Sequence, residues 1–232
     1  MGRGLNYGAT LMMEYFVDSI DNLELKKRSD IHWARKIWHM TGVFGMFLAY
    51  ALLPDLVSSA ILAFSIMIFL PVDFLRLRYS AFNDWILHAF RPIMRTNEID
   101  KVAGTTYLLV GVALIVALFP KPIVELTLLF LAFADPLASF IGIKYGKDKI
   151  FGHKSVQGFM AAFVVCTFLT LIFLSFHNVV LGRTLVVSLL AGLIGALAEL
   201  IPIGKLDDNF TLPLMSSVGL YILFSLFGLF AT

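Results

Sequence analysis

Asp135 and Ser139 stand four residues apart in FADPLASFIG, at the end of an apolar run from Ile123 to Ala134 broken only by Glu125 and Thr127. Residues at that spacing share a helix face. Arg35 and His39 repeat it in RKIWH, with Lys36 between them. Further along come Asp73 and Arg76, then Lys154, Ser155 and Gln157, then Glu199, then Asp207, Asp208 and Asn209. Such a mixture suits a polyanion with Mg²⁺, which takes one or two protein carboxylates and fills its other positions with phosphate oxygens and water. Asp135 with Asp207 or Asp208 forms the candidate metal set. Arg35, Arg76 and Lys154 are candidates for neutralising phosphate, with Lys36, Ser155 and Asn209 completing that set.

Each of these residues also has a structural reading. Asp135 is a possible partner for Arg76 or Lys154. His39 near a helix start equally suits an interfacial histidine. Asp207-Asp208-Asn209 reads as the N-cap of the helix that follows. The lysines of KYGKDKIFGHKS suit a loop that sets membrane orientation.

The elements that must hold these groups are apolar helices. Of 232 residues, 59% are hydrophobic and 15% charged, and mean hydropathy is +0.87. A soluble domain has roughly 45–50% apolar and about 25% charged residues. The single cysteine, Cys166, lies in an apolar run and forms no intrachain disulfide. Neither a cleavable leader nor a myristoylation signal is expected at the N-terminus.

Seven stretches are long and apolar enough to span a bilayer: 35–53, 57–76, 102–119, 122–141, 156–176, 184–203 and 211–230. Residues 5–25 place Met12, Tyr15, Phe16, Ile20 and Leu23 at helical spacing opposite Glu14, Asp18 and Asp21, an amphipathic helix. Residues 79–101 suggest a similar interfacial helix between spans two and three. The expected fold is therefore an all-α integral membrane protein. Residues 1–30 form an amphipathic cytoplasmic segment, and residues 31–232 form one transmembrane domain.

Lysine and arginine accumulate on the cytoplasmic side of membrane proteins. Of the 18 here, only Lys121 and Arg183 fall on the other side of the seven-span arrangement. The N-terminus is then cytoplasmic and the C-terminus opposite. In this arrangement the polar residues collect at the cytoplasmic helix ends, and the middle third of every span lacks a charge. Intramembrane ionisable groups are expensive and generally functional. Gly152-His153-Lys154-Ser155 only approaches a Walker A loop, with the wrong spacing, and no soluble-kinase HRD or DFG element is present.

Five motifs in order carry a family resemblance: RKIWH at 35–39, GTTYLLVG at 104–111, ADPLASFIGIKYG at 134–146, GHKSVQG at 152–158 and ELIPIGKLDDNFTLPL at 199–214. Together they resemble the polyprenol kinase family, which includes dolichol kinase, phytol kinase and CTP-using diacylglycerol kinase. The resemblance implies phosphoryl transfer, typically from CTP and with Mg²⁺, to a membrane lipid alcohol at the cytoplasmic face. Asp135 with Asp207 or Asp208 would hold metal, and His39 or Glu199 would take the alcohol proton. The expected partners are nucleotide, lipid alcohol and bilayer, with no nucleic acid.

A more distant resemblance is to phosphatidate cytidylyltransferase, from which GKLDDN departs by lacking a paired Asp-Arg-x-Asp. A transporter is the third reading. The charge-free middle layer argues against it.

Overall fold

The apolar runs become helices, several of which begin at a proline or at a short polar side chain: Pro54, Pro120, Ser155 and Asp207. The computed structural model describes Leu25 and residues 30–152, 154–177, 181–204 and 206–229. Apart from Leu25, the expected N-terminal amphipathic helix lies outside the described residues, as does Lys205. Helix α1 covers Trp33–Leu52 and α2 covers Asp55–Arg78, separated by Pro54. A shorter α3, Ser80–Ala89, precedes a 3-10 turn at Thr96–Glu98, and α4 follows at Gly104–Leu118. After Pro120 come α5, Lys121–Leu129, a π-helical turn at Phe130–Ala134, and α6, Asp135–Lys144. Strands β1, Lys149–Phe151, and β2, Lys154–Ser155, form an antiparallel hairpin. The chain ends with α7, Val156–Phe176, α8, Leu181–Leu200, and α9, Asp208–Leu226.

Among the described residues, five helices are long and apolar enough to cross a bilayer: α2, the continuous α5–α6 rod, α7, α8 and α9. Helix α1 has 20 residues and carries Arg35 and Lys36 in its first turn. Helix α4 has 15, a rise of about 22 Å against a hydrocarbon core of about 30 Å. This is the architecture of a helical membrane protein.

Two sequence expectations change. The helix expected over 79–101 is only the ten residues of α3; Pro92 has no N–H to continue it. The all-α expectation gains the hairpin, turned at Gly152 with φ of 55°, a conformation that favours glycine.

The α5–α6 rod is the axis of the molecule. One face of it packs Ile123, Leu126 and Phe130 against Cys166 of α7, Val187 and Ala191 of α8, and Leu220 and Phe224 of α9. The other packs Val124, Leu128 and Leu131 against Val43 of α1, Val112 of α4 and Leu212 of α9. Helices α7 and α8 meet through small residues, with Ala162, Ala191 and Ala196 fully buried. In lipid, where apolar surface gains nothing from burial, such close approach is what holds helices together.

Helix α2 is the outlier. Its buried residues are Ser58, Asp73 and Arg76, so it is held at its ends. At one end Lys121 Nζ donates to Asp55 Oδ1 at 2.8 Å. At the other, Arg76, 2% exposed, donates to Asp73 and to the carbonyls of Glu98 and Lys101, while Asp73 accepts from the Ala103 N–H. This node fixes residues 98–103, the connection into α4. Arg76→Ala leaves Asp73 and two carbonyls without their donor in a buried site, which costs about 3–5 kcal/mol. Thermal unfolding in detergent should show that loss, whereas Arg78→Ala, on an exposed side chain two residues away, should leave the midpoint nearly unchanged.

Candidate active site

Asp135 lies directly after the π-helical turn, and its N–H donates to the carbonyl of Phe130, five residues back. In the same register the Leu131 carbonyl would accept from residue 136, which is a proline with no N–H to give. His39 supplies the missing donor: its Nε2 lies 3.0 Å from Leu131 O. A carbonyl only accepts, so Nε2 carries the hydrogen and Nδ1 is the nitrogen left to take a proton. The same Nε2 is 3.9 Å from Asp135 Oδ2. Lys36, one residue after Arg35, donates to Pro136 O at 3.1 Å and to Ser139 Oγ at 2.9 Å. Lys36 and His39 of RKIWH thus face DPLAS across α1 and α6, while Arg35 turns away toward Glu98. A π turn placed beside polar groups is a common mark of a functional site.

Lys154 and Ser155 arrive on the hairpin. Ser155 caps α7, its Oγ accepting from Gly158 N at 3.2 Å. Gly158 lets α7 approach α6 closely: a Cβ there would sit 3.0 Å from the Ala138 carbonyl. Gln157 ties the loop back by donating to Asp148 Oδ2 at 2.8 Å. These restraints aim Lys154 at Glu199 near the end of α8, where Nζ donates to Oε1. Burial disfavours the ammonium, but Glu199, Asp208 and Asp135 outweigh it and hold the Lys154 pKa above its ordinary value. Lys154 is therefore a permanent cation at neutral pH.

Arg35 is held from the opposite side. Its guanidinium donates to both oxygens of Glu98, at 2.9 and 2.7 Å, and to Ile93 O at 2.7 Å. Glu98, 4% exposed, also accepts from the N–H groups of Arg95 and Gly104. Burial alone would raise the Glu98 pKa; the Arg35 charge and these hydrogen bonds reverse that and lower it. Gly104 is the second position of close approach. A Cβ there would lie 2.7 Å from Arg35 Nη2 and from Asn209 Nδ2.

The result is one polar cleft with about 820 Å³ of empty space, part of it open to solvent. It collects Arg35, Lys36, His39, Asp135, Lys154, Ser155, Glu199, Asp208 and Asn209 from α1, α6, the hairpin, α8 and α9. Two sequence candidates lie outside it. Arg76 is in the buried node of α2, spent on Asp73 and backbone carbonyls. Asp207 caps α9, accepting from Asn209 N at 3.0 Å. Glu98 is not among the sequence candidates, because its place here depends on Arg35, which no local pattern connects to it.

Among the described residues, no three His, Cys, Asp or Glu side chains converge as a metal cage. A Mg²⁺ brought in with phosphates would need only one or two carboxylates. Asp135 fits best: among the described residues no group donates a hydrogen bond to its carboxylate, and it faces the cleft together with Asp208.

No protein-family model and no solved structure matches the chain. Curated relatives do. CTP-dependent diacylglycerol kinase 1 of Schizosaccharomyces pombe is 30% identical over 161 residues, which cover 65% of this chain and 74% of the relative. The proteins of that name from Saccharomyces cerevisiae and Eremothecium gossypii are 28% and 30% identical over 176 and 166 residues. The chain belongs to the CTP-dependent diacylglycerol kinase family. This is a branch of the polyprenol kinase family that the five motifs resemble. The aligned region spans 61% and 52% of the Saccharomyces and Eremothecium diacylglycerol kinases.

In this family member, Gly104→Ala pushes Arg35 and Asn209 off their positions without touching the apolar core. Displacements of about 1 Å at a reacting site cost on the order of 10²-fold in rate, and lipid phosphorylation at unchanged thermal stability measures that loss. Glu98 makes a pH-dependent contribution with a definite sign. Its folded pKa is depressed, so the stability it contributes is fully present above the ordinary value of 4.5 and lost as pH falls through the folded value. The stability gap between the native protein and Glu98→Gln should be constant near neutrality and narrow below pH 4.5.

Proposed function

We propose that this chain is a CTP-dependent lipid kinase acting at the cytoplasmic membrane surface, with diacylglycerol, the lipid in its relatives' names, as acceptor. The observation that carries this reading is the cleft itself. Carboxylates and fixed cations from five separate elements meet at the ends of apolar helices, where a water-borne triphosphate reaches a hydroxyl whose tail remains in lipid.

Phosphoryl transfer asks little covalent chemistry of a protein and much positioning and charge stabilisation. Lys154 and Lys36 approach the cleft from opposite walls and would hold the phosphates. Arg35, fixed by Glu98, adds charge at the rim, and Ser155 and Asn209 add hydrogen-bonding groups. Asp135 and Asp208 would hold Mg²⁺, which when bound neutralises phosphate charge. The acceptor hydroxyl oxygen forms the new bond to the γ-phosphorus, and the bond from that phosphorus to the β–γ bridging oxygen breaks. CDP leaves, and the hydroxyl proton passes to a base. His39 is suited to that role through Nδ1, because its Nε2–H is engaged by Leu131. Glu199, paired with Lys154, is better suited to fixing that lysine.

CTP labelled on the γ-phosphate, incubated with the purified protein and diacylglycerol, should yield labelled phosphatidic acid. With phosphatidic acid supplied in place of diacylglycerol, release of the label as pyrophosphate would instead identify a cytidylyltransferase. Asp135→Asn should abolish labelling while the protein still inserts in membranes and unfolds at its normal temperature. Turnover by that variant at the native rate would remove Asp135 from the mechanism.

A further inference from the structure

Resting on the kinase reading above, we infer that the gap between α1 and α2 is the lateral channel in which the acceptor lipid lays its acyl chain. The polar cleft does not end at Arg35, His39 and Asn209. Those three residues also line a second, mainly apolar cavity with about 920 Å³ of empty space, walled by Gly42, Met46, Phe69 and Leu108. Met46 and Ser65 in turn line a third cavity that extends to Tyr50, Ser58 and Leu62. Polar cleft and apolar cavities therefore adjoin one another through shared lining residues, in order down the face of α1.

Two structural features keep this path open. Helix α2 is pinned at Asp55 and at Asp73–Arg76 and buries only Ser58 besides those ends' Asp73 and Arg76, so little of its length is committed to close packing. Gly42, which lines the second cavity, contributes no side chain to it, and a Cβ there meets nothing within 4 Å. The path from His39 to Tyr50 covers 11 residues of α1, about 16 Å of helix rise. That is about half the 30 Å hydrocarbon thickness, the depth of a single leaflet. A lipid whose acyl chain is seated there presents its headgroup hydroxyl at the His39 end, where His39 Nε2 lies 3.9 Å from Asp135 Oδ2.

A larger apolar cavity lies on the other flank of α2, against Phe74, Tyr107 and Phe210. It shares no residue with the polar cleft, and its one carboxylate, Asp73, is occupied by Arg76 and the Ala103 N–H. A lipid held there has no route for its hydroxyl to the reacting groups. Continuity with the cleft selects the α1–α2 gap.

The test uses the full-length protein in bilayers and a diacylglycerol carrying a photoreactive group midway along one chain. Crosslinks are expected on peptides holding Met46 and Phe69, and unlabelled diacylglycerol should compete them away. Gly42→Phe, and from the opposite wall Ser65→Phe, should abolish those crosslinks. They should also raise the KM for long-chain diacylglycerol about tenfold, the equivalent of about two methylenes kept out of the channel, with the KM for CTP unchanged. Val164→Phe, on the exposed outer face of α7, is the control and should alter neither constant.

Crosslinks on Phe74, Tyr107 and Phe210, crosslinks that diacylglycerol fails to compete because bulk lipid fills the gap, or an unchanged KM in both folded variants would each overturn the inference. Crosslinking in the gap by a protein that phosphorylates no lipid would instead support the channel and overturn the kinase reading.

Discussion

A charge at the edge of the hydrocarbon layer persists only when another group is fixed beside it, and the arrangement of this molecule follows from that requirement. Lys154 and Glu199 illustrate it. Neither the hairpin nor the end of α8 has an apolar reason to meet the other, yet the ion pair joins them. Removing either partner would leave an uncompensated buried charge, which is far costlier than never having buried the pair. The same logic joins Arg35 to Glu98 and Arg76 to Asp73. Two of these three ion pairs contribute residues to the cleft, and the third holds the connection into α4 beside it.

Asp135 differs from these residues. Proline at 136 prevents the local backbone from closing on itself, and the π turn before it re-aims the chain. His39 satisfies the carbonyl this leaves open. The strongest carboxylate candidate in the sequence thus stands beside a histidine that is itself anchored elsewhere, with its own oxygens free of protein donors among the described residues. Local backbone irregularity thus coincides with the carboxylate that we propose for metal. The helices that carry the remaining groups are regular.

Much of this was legible in the sequence because hydrophobic length and proline position are local properties. The run 156–176 coincides with α7, and the other spans lie within a few residues of their helices. The paired spacings at 35–39 and 135–139 were legible for the same reason. Arg76 lies outside the cleft, bonded to Asp73 and backbone carbonyls, because depth along a helix can be counted from sequence whereas side-chain direction cannot; its i, i+3 relation to Asp73 is the clue that the sequence offers. Asp207 was read both as a metal ligand and as a cap, and the geometry uses it as a cap. Glu98 left no trace, since its role depends on Arg35, 63 residues away. The hairpin was hidden by its length, two strands of three and two residues.

The most direct measurement is an electron cryomicroscopy structure of the protein with a non-hydrolysable CTP analogue and Mg²⁺. Density for the triphosphate should lie between Lys36 and Lys154, with the γ-phosphate on the side of Asp135 and His39. A nucleotide bound elsewhere, with the cleft holding only water, would contradict the assignment of this cleft as the reaction site.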